Sequence, residues 1–186
     1  MLEEVYKTLS IGIIVTFLSC MAFLGNQISP VLNVVGFIIA ALLAMWKPNK
    51  YTFYTFTFAT GMLLSLSILL VSVSTVIAAM AGTVLIFVGL TTYVLKSGKD
   101  FSEWLKPLLY ALIGLIVLQL ANLFFLGNET LESVTSVLGV MIFSGLILAD
   151  TSQIVNGTFK NKYEAALSMH LNIVNLFLHM LGVLED

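Results

Sequence analysis

Residues 51 to 95 read YTFYTFTFATGMLLSLSILLVSVSTVIAAMAGTVLIFVGLTTYVL, with no charged side chain anywhere. As one helix these roughly 45 residues would extend about 68 Å, more than twice the thickness of a bilayer's hydrocarbon core. The stretch has to turn back, and Val71 to Thr75 is the place for it, because the hydroxyls of Ser72, Ser74 and Thr75 can satisfy freed backbone groups. Two spans result, Tyr51 to Leu70 and Ser74 to Leu95.

The rest of the chain follows the same pattern. Of its 186 residues 59% are hydrophobic and 10% charged, against roughly 45–50% and about 25% in a soluble domain, and the mean hydropathy is +1.05. A water-soluble globule is excluded. Breaks at clustered charge, Pro, Asn and Gly give five further spans: Thr8 to Gly25, Ile28 to Trp46, Pro107 to Leu126, Leu131 to Gln153 and Glu164 to Leu184. The expected fold class is an all-α integral membrane protein, a seven-helix bundle forming one domain over residues 1–186. Seven crossings of about 20 residues consume roughly 140 positions, which leaves no room for an extramembrane domain.

The leader MLEEVYK is acidic and no small-x-small cleavage site follows the first apolar run, so this span reads as a retained helix. Asp100 and Glu103 have capping-box spacing, Pro107 suits a first helical turn, and Glu129 and Glu132 fall at the positive end of span six. Orientation comes from the lysines. Lys7 precedes span one, Lys47 and Lys50 follow span two, Lys96, Lys99 and Lys106 follow span four, and Lys160 and Lys162 follow span six; the chain has no arginine. All eight lysines thus share one side, which the positive-inside rule makes the cytoplasm, with the N-terminus there and the C-terminus outside. A net charge of -2 offers nucleic acid no attraction. Cys20 can form no internal disulfide and reads as a small buried hydrophobe.

Small residues recur at packing intervals, Gly36, Ala40 and Ala44 in span two and Ala78, Gly82 and Gly89 in span four. The polar residues are more informative. Asp150 is the one acidic residue well inside a span, where an ionised carboxylate costs at least about 2.5 kcal/mol and marks either a functional path or, if span six ends early, an interfacial position. In span seven Ser168, Asn172, Asn175 and His179 share one helical face, able either to line a wet cavity or to hydrogen-bond a neighbouring helix, while His170 points elsewhere. Gln119 and Asn122 suit hydrogen bonding between helices.

Enzymatic readings fail by residue type. A two-aspartate intramembrane protease needs a second membrane carboxylate and a Gly-x-Gly-Asp context, whereas Asp150 follows Ile-Leu-Ala. A rhomboid-type protease needs Gly-x-Ser-Gly, and Ile142 stands where the first glycine belongs before Ser144-Gly145. Zinc hydrolysis needs about three His, Asp or Glu ligands, and the span-seven face offers one histidine. No cofactor is expected.

The block FSGLILADTSQIV from Phe143 to Val155, followed by YEAALSMHLNIVNLFL from Tyr163, resembles the last two helices of the transmembrane Bax inhibitor motif family, the Bax inhibitor-1 family. Thr60-Gly61, the segment Val76 to Thr83, Lys99 to Ser102 and Ala121 to Phe124 extend the resemblance to spans three through seven. It implies a seven-helix bundle with a cytoplasmic N-terminus and a calcium-leak or stress-regulatory role. In calcium-leak members of that family an aspartate pair on the last two helices shares protons and gates a pore, and a basic residue of an early helix latches it. Asp150 matches the first aspartate and becomes the candidate in a calcium path. Asn172 stands at the second, so Asn172, Asn175 and His179 are the pore or proton-sensing candidates and an altered pH response is expected. The missing second acid also resembles the bacterial branch that restrains the membrane-anchored protease FtsH, a non-conducting regulatory role. The lysine-only complement and short N-terminal tail point to a prokaryotic inner or plasma membrane.

Overall fold

The computed structural model describes residues 1–25 and 29–185. Among them it is helical throughout, with α1 (Leu2–Phe23), α2 (Pro30–Trp46), α3 (Lys50–Ser67), α4 (Val73–Ser97), α5 (Leu105–Ala121), α6 (Glu129–Val155) and α7 (Lys162–Glu185). Five segments are long and apolar enough to cross a membrane: α1, α4, the segment Ser102–Leu126, α6 and α7; the apolar helix α2 is shorter. The interruption of the charge-free stretch falls at residues 68–72, between α3 and α4, earlier than the expected Val71 to Thr75, so that Ser74 and Thr75 already lie in the first turn of α4. The expected start of span two at Ile28 and the terminal Asp186 lie outside the described residues. Span one begins earlier than expected: Leu2 to Lys7 are already helical, with an i,i+4 pair between Lys7 Nζ and Glu3 Oε1 at 2.7 Å.

Two compact units divide the chain, residues 1–72 with 159–170, and residues 73–158 with 171–186. In the first unit α1 and α3 run parallel. Thr16 meets Thr57, while Gly61 lies so close to Thr16 and Ser19 that a Cβ there would strike the Thr16 carbonyl oxygen. α2 contributes Phe37 against Phe56, ring centroids 5.6 Å apart, and buries Ala40 and Ala44. The spacing of small residues therefore marks packing at Ala40 and Ala44, but not at Gly36, which has open space beside it.

Two helices of this unit, α3 and α7, start with side-chain caps. Asn49 Oδ1 accepts from the Tyr51 and Thr52 amides at 2.9 and 3.2 Å and its own amide donates to Thr52 Oγ1, which starts α3. Asn161 Oδ1 accepts from the amides of Tyr163 and Glu164, which starts α7. Such caps satisfy amide donors that have no partner within the helix.

In the second unit α6 is the central element. Residues Gly145 to Ile154 are almost continuously buried, whereas α5 buries only Leu115. α6 and α7 run antiparallel, shown by Asp150 against Asn172 and by Gly139 against His179. Gly82 of α4 sits under Met180, so this glycine marks packing, while Gly89 has open space and Ala78 is exposed.

One local expectation is corrected. Asp100 and Glu103 form no capping box: Asp100 Oδ1 accepts from the Ser102 amide at 2.8 Å, an Asx turn that leads into the 3₁₀ turn Ser102–Trp104. α5 then starts at Leu105, which puts Pro107 at its third position, still within the first turn. Asn122 joins the end of α5 to the start of α6: it opens the π turn Asn122–Leu126 and exchanges hydrogen bonds with the backbone of Asn128, the N-cap of α6.

Candidate functional site around Asp150

α6 carries Leu146-Ile-Leu-Ala-Asp150-Thr-Ser-Gln153, a run with no helix breaker and two hydroxyl residues beside the carboxylate. Those hydroxyls turn back on their own helix: Thr151 Oγ1 donates to Ile147 O at 2.7 Å and Ser152 Oγ to Leu148 O at 3.0 Å. Asp150 is 2% exposed although α6 ends only five residues later, and the carboxylate is therefore enclosed by protein. Asn172 Nδ2 donates to Asp150 Oδ2 at 2.8 Å. An amide supplies a strong hydrogen bond to a carboxylate but no countercharge.

The other polar residues of α7 have separate partners. Asn175 Nδ2 donates to Leu171 O in its own helix at 2.8 Å. His179 stacks on Phe143, with centroids 5.5 Å apart and planes at 27°, over the gap left by Gly139. Ser168 is half-buried in the portion of α7 that belongs to the first unit. Of the four residues on that face, Asn172 meets Asp150.

Sequence reasoning missed two features. Gln153, one helical turn from Asp150, has a buried Nε2 with no hydrogen-bond partner among the described residues. In the first unit His170 is fully buried and ties three elements together. Thr16 Oγ1 donates to Thr57 O at 2.9 Å, and the same hydroxyl oxygen stands 2.9 Å from His170 Nε2. With its one proton already given, the hydroxyl accepts from Nε2–H, so Nδ1 is a bare acceptor between Phe53 and Phe56. The only signal for this trio is a histidine in an apolar run together with threonines on two other spans, and that pattern singles out no pair.

At the end of α6 a polar hinge holds the α4–α5 loop. Ser152 Oγ accepts from the Phe101 amide at 3.0 Å, and Asn156 Nδ2 donates to Asp100 Oδ2 at 2.9 Å. Hydrogen bonds from the Ser102 side chain and amide, with help from Asn156, hold the Asp100 carboxyl below its usual value. Gly157, at φ 69°, reverses the chain just beyond, and the Thr158 amide closes onto Gln153 O.

No group of three or more His, Cys, Asp or Glu side chains gathers among the described residues. The Asp150 centre thus joins one enclosed carboxylate to the neutral amide of Asn172.

The whole chain, residues 1–186, matches the family model described as inhibitor of apoptosis-promoting Bax1. An uncharacterized membrane protein of Vibrio cholerae is 33% identical, over 98% of this chain and 87% of its own length. Protein lifeguard 4 of mouse and a Golgi anti-apoptotic protein of vaccinia virus are each 32% identical, over 99% of this chain and 84% of their own. These relatives carry the names of membrane or anti-apoptotic proteins rather than of enzymes. With its apolar helices and a match that runs end to end, the chain belongs to the Bax inhibitor family and is an integral membrane protein.

Proposed function

We propose that the chain is an ion leak of the Bax inhibitor family in which calcium passes Asp150, with a pH response altered because the amide of Asn172 occupies the second acidic position. The observation that supports this reading is the enclosed Asp150 carboxylate held by Asn172. Ionisable groups inside a membrane protein are costly and mark ion or proton paths. Calcium prefers oxygen ligands, and Asp150 supplies the charged oxygens, to which Asn172 and Asn175 can add neutral carbonyls. The lysine distribution supports a cytoplasmic N-terminus and an external C-terminus, which puts Asp150 toward the cytoplasmic end of α6, in a prokaryotic inner or plasma membrane.

Calcium flux into dye-loaded vesicles reconstituted with purified protein tests the reading. Wild-type protein conducts, Asp150→Asn reduces the flux strongly, and Asn172→Asp restores a second carboxylate and steepens the dependence on pH. A wild-type protein that passes no calcium at any pH, yet co-purifies with an FtsH-type membrane protease, overturns the leak in favour of a non-conducting regulator or stress-response scaffold. Topology has its own test. A reporter fused after Asp186 is exported and one inserted near Lys99 stays cytoplasmic; a cytoplasmic C-terminal fusion overturns the orientation.

A further inference from the structure

The first unit carries a groove of about 380 Å³ on its outer face, lined by Val15 of α1 and by Lys50, Tyr51, Tyr54, Thr55 and Phe58 of α3. That volume lies within the range of small-molecule sites. Tyr51, Tyr54, Thr55 and Phe58 form a single stripe at helical spacing, and Val15 makes the facing wall. Chemistry changes along the groove in a fixed order. An ammonium stands at the first residue of α3, tyrosines follow within the next turn, and Phe58 and Val15 make the far end apolar. From Lys50 to Phe58 is about 12 Å along the helix, enough to pass from the headgroup layer into hydrocarbon, since the headgroup layer adds only about 5–7 Å on each side of the core.

Lys50 has no carboxylate partner among the described residues, in which Lys7 pairs with Glu3 and Lys162 with Glu4. The amides at the start of α3 are already taken by Asn49, so the cation rather than the helix end is what the groove offers. An unpaired ammonium above tyrosines and an apolar trough complements an amphiphile with a negative head. Basic sites at the membrane surface recognise anionic headgroups in this way, and tyrosine is enriched at the same depth.

We propose that this groove binds an anionic glycerophospholipid, its phosphate at Lys50 and Tyr51 and one acyl chain along Tyr54, Phe58 and Val15. The site depends on the start of α3 lying at a membrane surface and not on which surface, so it stands apart from the calcium reading.

The test measures thermal unfolding and lipid retention of the intact purified protein in detergent, with phosphatidylglycerol against phosphatidylcholine of identical chains. Phosphatidylglycerol, whose phosphate has no ammonium of its own to offset it, binds about fivefold more tightly, the value of roughly 1 kcal/mol for one surface cation, and Lys50→Gln abolishes that preference by weakening phosphatidylglycerol more than phosphatidylcholine. Phe58→Ala weakens both lipids. Lys47→Gln, which removes a lysine outside the groove, leaves the preference intact. Equal binding of the two lipids by wild-type protein overturns the proposal, as does loss of the preference on Lys47→Gln to the same degree as on Lys50→Gln. Inorganic phosphate that reproduces the stabilisation without any acyl chain overturns the lipid as occupant.

Discussion

The two units each bury one polar centre, and the centres are built on opposite principles. Around His170 every group is neutral and the hydrogen bonds bind α1, α3 and α7 to one another inside a sleeve of Phe53 and Phe56. Around Asp150 a carboxylate is held by an amide. The packing differs in the same sense at Gly61, although Gly12 of the first unit also meets a side chain, the Phe53 ring. Gly61 in the first unit sits against the backbone of α1, which cannot yield, whereas Gly139 and Gly145 in the second sit against the His179 ring and the tip of Leu108, which can. A backbone-limited contact around neutral groups makes a scaffold, while a side-chain-limited one around an ionisable group leaves room for a centre that rearranges. The proposed leak, which rests on the Asp150 carboxylate held by Asn172, falls in the second unit.

Substituting these glycines is the strongest way to break the comparison. Gly61→Ala forces apart α1 and α3 and is expected to cost the upper end of the ~1–3 kcal/mol typical of overpacking. Gly145→Ala displaces only the Leu108 methyl groups, 2.9 and 3.0 Å from the added Cβ, and costs less. Thermal unfolding of the two variants in detergent measures the difference, and equal losses would remove the distinction between rigid and adjustable packing.

The polar centres come next in size. Asn172→Ala takes one hydrogen bond from a buried carboxylate, with an expected loss of about 1.5–3 kcal/mol. Asn172→Asp separates stability from function, because it keeps the side chain's size while changing the pH dependence of flux. In the neutral centre, Thr16→Val deprives His170 of its partner and costs about 1–2 kcal/mol, whereas Thr16→Val combined with His170→Phe removes donor and acceptor together and recovers most of that loss. A double variant that is worse than the single one would show that the histidine does more than hold three helices together.

How much of this was legible in the sequence depends on whether a feature leaves a charge or a period behind. Apolar runs gave most helix ends to within a few residues, though not the start of α1, and a break in the charge-free stretch from Tyr51 to Leu95 was legible because a continuous helix there exceeds the membrane, while its place at residues 68–72 was not. Asp150 stood out as a lone charge, and its partner face on α7 could be read from the spacing of Asn172, Asn175 and His179. That spacing could not say which of the three would reach Asp150, since the choice depends on the depth at which α6 and α7 cross. The His170 trio was invisible because its partners, Thr16 and Thr57, are brought together by the parallel packing of α1 and α3 rather than by any local pattern. Capping at Asp100 was misread because Asp-x-Ser serves an Asx turn as readily as Asp-x-x-Glu serves a capping box.

The smallest expected effect concerns the loop that closes over the end of α6, where the comparison of the two units can be sharpened without touching either buried centre. Asp100 accepts from Ser102 and from Asn156, which fastens the α4–α5 loop to the last turn of the helix that carries Asp150. Because these hydrogen bonds favour the charged carboxylate, its folded value lies below the unfolded one. Their contribution is then fully present above the unfolded value near 3.8 and is lost as the pH falls through the lowered folded value. At neutral pH, Asp100→Asn keeps an acceptor for the Ser102 amide but sets its own amide nitrogen against that of Asn156, and the loop loosens. Hydrogen exchange at Phe101 and Ser102 should quicken, with a shift in thermal midpoint smaller than that of Thr16→Val, since the group is exposed and its bonds compete with water. Asn156→Ala should reproduce the faster exchange while leaving the Asx turn intact. Exchange at the loop unchanged in both variants would mean that the Ser152 hydroxyl alone holds Phe101 to α6, and the α6 terminus would then be as firmly fixed as the helices of the first unit.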